Sequence, residues 1–265
     1  MKTLRLVLIF MVAVFFAPGC KEDEPSCVEM MDQVYINQLQ VIGSHNSYRL
    51  KTVEPILQFM YANPQLLPPG FNPDDWDYEH LPLHEQFHDY GIRSIELDVF
   101  NDPYGGLFYN RMGLAVLGMS PESGEPALQE PGLKVMHFPD LDFMTNYLTF
   151  KAALEDVKAW SEAHTDHVPI IIQIEPKEDN PFALLGAPFT STIPFDKTNL
   201  GTIDEEIRAV FGAGLDKVFT PDELRRNYST LNKAALDYGW PTLPQARGQI
   251  IFVMDGSGTE IADYI

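Results

Sequence analysis

Two periods alternate along the chain. Short apolar runs with every-second-residue patterning at 39–43, 91–100, 133–138, 168–175 and 248–254 predict strands, with 217–219 as a further short candidate. Helical patterning separates them. Residues 82–90 carry Pro82 at the first turn and stop before Gly91, and Phe150, Leu154, Val157 and Trp160 fall at helical spacing. Thr202 and Glu205 form the pattern of a capping box ahead of Ile207, Val210 and Phe211, and Gly212 ends that segment. Strands alternating with helices argue for an α/β fold with a parallel sheet. Two stretches rich in Pro, Gly, Asn and Asp, roughly 48–81 and 101–132, break the alternation directly after strands. In a TIM-like barrel, loops in that position line the catalytic face.

Composition narrows the class. With 265 residues, 45% of them hydrophobic, the chain can bury one sizeable core, and no composition shift marks a second domain. The formal net charge of −20 repels phosphate backbones, so nucleic acid is not an expected partner. The N-terminus carries Lys2 and Arg5, then an apolar run at 6–16 too short for a comfortable membrane span, then Ala17, Pro18, Gly19 and Cys20. That order resembles a bacterial lipoprotein signal ending at a lipidated Cys20, and the acidic run 21–24 resembles an export signal. The expected organisation is a signal over 1–20, an acidic linker over 21–36 and a catalytic unit over 37–265, in an exported protein lipid-anchored to a bacterial membrane. An ordinary secretory signal, giving a periplasmic or extracellular protein, is the alternative. With Cys20 acylated, Cys27 has no disulfide partner in the chain.

Strand pleat selects the candidate chemistry. Residues two apart share a face, so Glu96 and Asp98 point one way while Ile95, Leu97 and Val99 point the other. Glu175 ends the apolar run 170–172 in the same manner, with Gln173 and Lys177 on its face. Carboxylates this close repel unless a cation or proton separates them, and a hard divalent metal with oxygen ligands is the natural solution. Asn46 and His45 leave the first strand, and His137 shares a face with Leu133 and Val135 on the third.

Each candidate has a plainer reading. Glu96 and Asp98 could pair with Lys134 or Arg93, although Arg93 falls on the other face. Lys177 could bind a phosphate or be a solvated loop lysine. The spacing of His80, His84 and His88 suggests zinc, but a solvent-facing helix edge explains it better. His164 and His167 read as helix-end or surface residues. Asp140 and Asp142 read as loop residues, with contact to the site from behind as the other reading.

In order along the chain, Gly43 to Tyr48, the stretch from Asp77 to Gln86 continuing through Gly91 to Val99, Val135-Met136-His137, and Ile172 to Lys177 resemble the motifs of the bacterial calcium-dependent phosphatidylinositol-specific phospholipase C family. The resemblance implies a TIM-like (β/α) barrel of the phospholipase C-like phosphodiesterase type. About six of the roughly eight strands such a barrel needs are found, so it is expected to be C-terminally incomplete. It implies calcium held by Asn46, Glu96, Asp98 and Glu175, proton and charge work by His45 and His137, and a phospholipid or inositol phosphodiester substrate. Glu96 or Glu175 remains open as the base. The stretch 249–255 lacks the lysines with which eukaryotic relatives bind ring phosphates, so phosphatidylinositol or a glycosylated form is the expected substrate. A monomer is expected. Two rival functions remain. A glycerophosphodiester phosphodiesterase would carry His-Arg-Gly where this chain has His45-Asn46-Ser47. A non-catalytic inositol- or glycan-binding surface lipoprotein is the other.

Overall fold

The structure is a computed structural model that describes residues 30–178, 180 and 188–256. Cys20, Cys27 and the expected signal segment lie outside the described residues. The elements are α1 (Glu54–Ala62), α2 (Leu83–Asp89), β1 (Ser94–Phe100), α3 (Met112–Val116), β2 (Lys134–Val135), α4 (Phe150–Ala163), β3 (Ile170–Pro176), α5 (Gly201–Phe211), α6 (Pro221–Arg225), α7 (Leu231–Asp237), α8 (Leu243–Ala246) and β4 (Ile250–Met254). No described helix is long and apolar enough to cross a membrane.

The strands form a mixed four-stranded sheet in the order β2-β1-β3-β4. β1, β3 and β4 are parallel, with Asp98 opposite Glu175 and Ile172 opposite Phe252. Ile95, Leu97 and Val99 pack with Ile170, Ile172 and Ile174 in the main core. Phe150, Leu154 and Val157 of α4 and Ile203, Ile207 and Phe211 of α5 cover them. Each such fully buried side chain contributes roughly 1.5–3 kcal/mol, which fixes the register and with it the opposite, acidic face of β1.

Five expectations are corrected. Among the described residues the sheet is open, not a closed barrel. The expected strand at 39–43 reduces to one parallel bridge, Gly43 to Ser94, and 217–219 to a bridge from Val218 to Ile250 on the outer side of β4. The third strand is two residues long and antiparallel to β1, because the backbone N–H of Val135 turns to Leu148 and Phe138 folds back on Asp142. Helix α5 begins at Gly201 with no side-chain cap, so the Thr202–Glu205 box does not form.

The two irregular stretches are not bare loops. They contain α1 and α3 and build a second core around Ile56, Met60, Trp76, Phe100, Phe108, Met136 and Phe143. This core caps the C-terminal end of β1. Its presence explains why β1 is buried on both faces, with Asp98 fully enclosed.

Candidate active site

Segment 43–48 runs beside β1 as an irregular strand. Ser44 N–H donates to Ser94 O at 3.0 Å, Ser47 N–H to Glu96 O at 3.1 Å, and Glu96 N–H to the Ser47 hydroxyl at 2.9 Å. The close approach suits Gly43, since a Cβ there would sit 3.1 Å from Ser94 Cβ and press the two segments slightly apart. Asn46 then adopts the left-handed region at φ 49°, which Asn tolerates better than most residues. The turn aims its N–H at Glu96 Oε2 (2.7 Å) and sets His45 Nε2 3.4 Å from the same oxygen. His45 is exposed and Asn46 buried.

Glu96, Asp98 and Glu175 each offer an oxygen within 4.8 Å of the others. Pleat and register bring them together: Glu96 and Asp98 are two apart on β1, and Asp98 faces Glu175 across the ladder. Gln173, opposite Glu96, donates to it at 3.3 Å and to Asp255 at 2.7 Å. Neither the Lys134 nor the Arg93 pairing occurs. Lys134 turns to Asp102, and Arg93 stacks 4.7 Å over Trp160. Lys177 takes their place, its ammonium 3.0 Å from Glu175 and 3.4 Å from Asp98. Burial would lower its pKa, but the two carboxylates outweigh that and raise it.

Asp98 is the strained member. It is fully buried, and apart from the Lys177 ammonium at 3.4 Å its carboxylate oxygens lack a well-made hydrogen-bond partner. Burial chiefly, then Glu175 and Glu96, push its carboxyl up to about 8 against the pull of Lys177. A buried carboxylate with free lone pairs, among oxygen ligands and beside Asn46, fits a hard divalent cation. Asn46 Oδ1 accepts from the Tyr48 hydroxyl at 3.0 Å. Burial and the nearby carboxylates keep that hydroxyl protonated.

His137 lies past β2 rather than on a regular strand. Its Nδ1 is 2.7 Å from Asp142 Oδ2, and its ring sits 4.0 Å from that of Phe138 and 5.8 Å from Trp76. Burial holds its pKa below the ordinary value, against the opposing pull of Asp142. His45, Asn46 and His137 line one open cleft of about 930 Å³, walled by Trp76, Tyr78 and His80.

Sequence reasoning undervalued Asp142 and missed Arg49. Both are fully enclosed, and Arg49 grips Asp142 through two donors at 2.8 and 2.9 Å. The nearest signal was a carboxylate five residues after His137; nothing local announced Arg49. Asp140 instead anchors a different region, accepting from Met112 N–H at 2.9 Å and Thr190 N–H at 2.7 Å. The zinc spacing dissolves: His80 meets His45 O, His84 meets Asp156, and His88 lies against His164. His164 closes the end of α4 through Trp160 O, as expected. His167 is buried rather than superficial, bonded to Ser161 and Val168 O.

Acidic residues at the C-terminal ends of β1 and β3 thus converge beside His45, which lines the same cleft as His137. The family model for Ca2+-dependent phosphoinositide phospholipase C matches residues 34–265, and the chain belongs to that family. Among solved structures, the fold is similar to a calcium-dependent phosphoinositol-specific phospholipase C from Pseudomonas sp. in two apo crystal forms. One gives 19% identity and a TM-score of 0.50 over 88% of this chain and 62% of that one. The other gives 18%, 0.50, 88% and 63%. A Ca2+-dependent phosphatidylinositol-specific phospholipase C from Streptomyces antibioticus gives 18% identity and a TM-score of 0.43 over 83% of this chain and 53% of that one. At such identity the likeness concerns the fold. The chain spans about 62% of the length of the first of these structures. No curated protein matches significantly.

Proposed function

We propose that the protein is a calcium-dependent phosphodiesterase that cleaves phosphatidylinositol, or a related inositol phosphodiester, to diacylglycerol and a cyclic or opened inositol phosphate. The observation that carries this reading is the convergence of Glu96, Asp98 and Glu175 within 4.8 Å, in a chain of a Ca2+-dependent family. The buried oxygens of Asp98, which lack a well-made hydrogen-bond partner, support it further.

On this reading Asn46, Glu96, Asp98 and Glu175 hold the ion. Calcium, when bound, supplies positive charge to the phosphoryl oxygens and acidifies the attacking hydroxyl. His45, open to the cleft and next to Glu96, serves the attacking or phosphoryl side. Glu96 and Glu175 remain alternatives as the proton acceptor. His137 serves the leaving-group side. Its Nδ1 is committed to Asp142, so in the imidazolium form Nε2 carries the second proton and gives it to the departing oxygen. Lys177, beside Glu175 and Asp98, would supply a further positive charge for the phosphate. Lysines are missing from 249–255, which favours an unphosphorylated or glycosylated inositol ring over a polyphosphorylated one. We further propose export and anchoring through an acylated Cys20, with the catalytic unit monomeric.

The test is a product assay with phosphatidylinositol and glycerophosphodiesters, with calcium and with chelator. Calcium-dependent release of inositol phosphates supports the reading. Glycerol 3-phosphate as the sole product would move the protein to the glycerophosphodiester class. No turnover of either substrate would leave a binding protein.

A further inference from the structure

The histidine on the leaving-group side is not free-standing. Phe138 and Asp142 exchange backbone hydrogen bonds of 3.1 Å in both directions, closing a tight turn in which Asp140 takes φ 71°. The turn returns Asp142 beneath His137. Every bonding direction of its carboxylate is used. Oδ2 accepts from His137 Nδ1 at 2.7 Å and Arg49 Nε at 2.8 Å, while Oδ1 accepts from Arg49 Nη2 at 2.9 Å and from the Thr52 hydroxyl. Burial alone would raise this carboxyl, but His137 and Arg49 outweigh it and hold Asp142 below the ordinary range. An ionised carboxylate only accepts, so His137 Nδ1 must be the donor, and the neutral ring keeps its lone pair on Nε2.

Arg49 extends the arrangement. Its Nη1 donates to Tyr78 O and its Nη2 to Trp76 O, both at 2.7 Å, and its guanidinium lies 4.3 Å from the Tyr78 ring. These are walls of the cleft. The Arg49 carbonyl accepts from His80 N–H at 2.9 Å, and His80 Nε2 lies 2.9 Å from His45 O. Arg49 is thus tied through its side chain to Asp142 and so to His137, and through its main-chain carbonyl to His80 and so to the main chain of His45.

We infer that Asp142 and Arg49 are positioning residues for the proposed reaction, fixing His137 in the Nδ1–H tautomer with Nε2 directed to the cleft and holding the two histidines in one frame. The kinetic consequence rests on the phosphodiesterase reading; the tautomer does not. A purely structural ion pair would need no particular tautomer, and burial of such a pair is itself weak support for stability. Asp142→Asn separates the roles. It is nearly isosteric, yet one of its two positions becomes an N–H that cannot accept from His137 or Arg49.

The experiment is two-bond nitrogen–proton correlation NMR on the full chain labelled with 15N-histidine, with kinetics alongside. In the wild type, neutral His137 is expected as Nδ1–H. In Asp142→Asn it is expected to shift to Nε2–H or to a mixture. On an alkyl diester, kcat should fall about a hundredfold or more with KM little changed. A phenolate leaving group should recover much of the loss. Arg49→Lys, which keeps the charge but loses the fork, should fall between. An Nε2–H tautomer in the wild type overturns the inference, whatever the variants do. So does a folded Asp142→Asn with unchanged tautomer and kcat. If the wild type releases no inositol phosphate, the functional reading fails, while the tautomer still decides the positioning role.

Discussion

Asp98→Asn should change the protein in opposite directions with and without calcium. In the folded chain without the ion the Asp98 carboxyl sits at about 8, against an ordinary 3.8. At pH 7 the unfolded chain therefore releases a proton that the folded chain keeps. A raised carboxyl contributes its stability below pH 3.8 and loses it as pH climbs towards about 8. At about 1.4 kcal/mol per unit, the cost at pH 7 is roughly 4 kcal/mol, an upper bound because local relaxation reduces it. Asparagine fills the same space without ionising. In chelator the variant should thus melt higher, by about 2–3 °C for each kcal/mol realised. With saturating calcium the order reverses. Ligand at a thousand times Kd stabilises the wild type by about 4.1 kcal/mol, enough to match the upper bound of that cost, and the variant should lose most of that gain. Calorimetry in chelator and in calcium, at pH 5 and pH 7, reads all four states. The chelator advantage should shrink at pH 5, which lies much nearer to the unfolded wild type's 3.8, so keeping the proton on folding costs less. A variant that melts lower by the same amount in both media would refute the reasoning, since Asp98 would then be an ordinary structural carboxylate.

Four further outcomes can be measured. His45→Ala and His137→Ala should each lose about a hundredfold in turnover, and a phenolate leaving group should rescue His137→Ala but not His45→Ala; rescue of His45→Ala instead would exchange the two roles. Lys177→Met removes the ammonium that shares Glu175 and Asp98, so calorimetric titration should show tighter calcium binding, and weaker binding would mean that Lys177 does not compete for the carboxylates. His167 is held below the ordinary histidine value by burial, with its bond to Val168 O opposing, so the unfolded chain takes up its proton first. The stability it contributes is complete above pH 6.5 and lost as pH falls below it; His80 and His137 act in the same direction, so His167→Gln should flatten the fall in Tm between pH 7 and 5 in part, and an unchanged slope would exclude it. Cys20→Ser should move the protein from the membrane to the soluble fraction, because stable anchoring needs more than one acyl chain; retention on membranes would point to the apolar segment itself.

The sequence by itself determined the acidic face. Strand pleat is a local rule with a period of two, so Glu96 and Asp98 against Ile95, Leu97 and Val99 could be read before any fold was known. The same holds for the apolar spacing of Phe150, Leu154, Val157 and Trp160 in α4, a local signal. Tertiary structure decided what depends on a partner far along the chain. The parallel register that sets Asp98 opposite Glu175, 77 positions away by number, comes from burying isoleucines against α4 and α5. The strand expected at 133–138 broke because Asp142 turned back beneath His137, where Arg49, 93 positions away, could neutralise it. No local pattern marks an arginine for burial. Its charge is tolerable there only because Asp142, Thr52 and the carbonyls of Trp76 and Tyr78 meet its donors at once, and that meeting exists only in the folded chain.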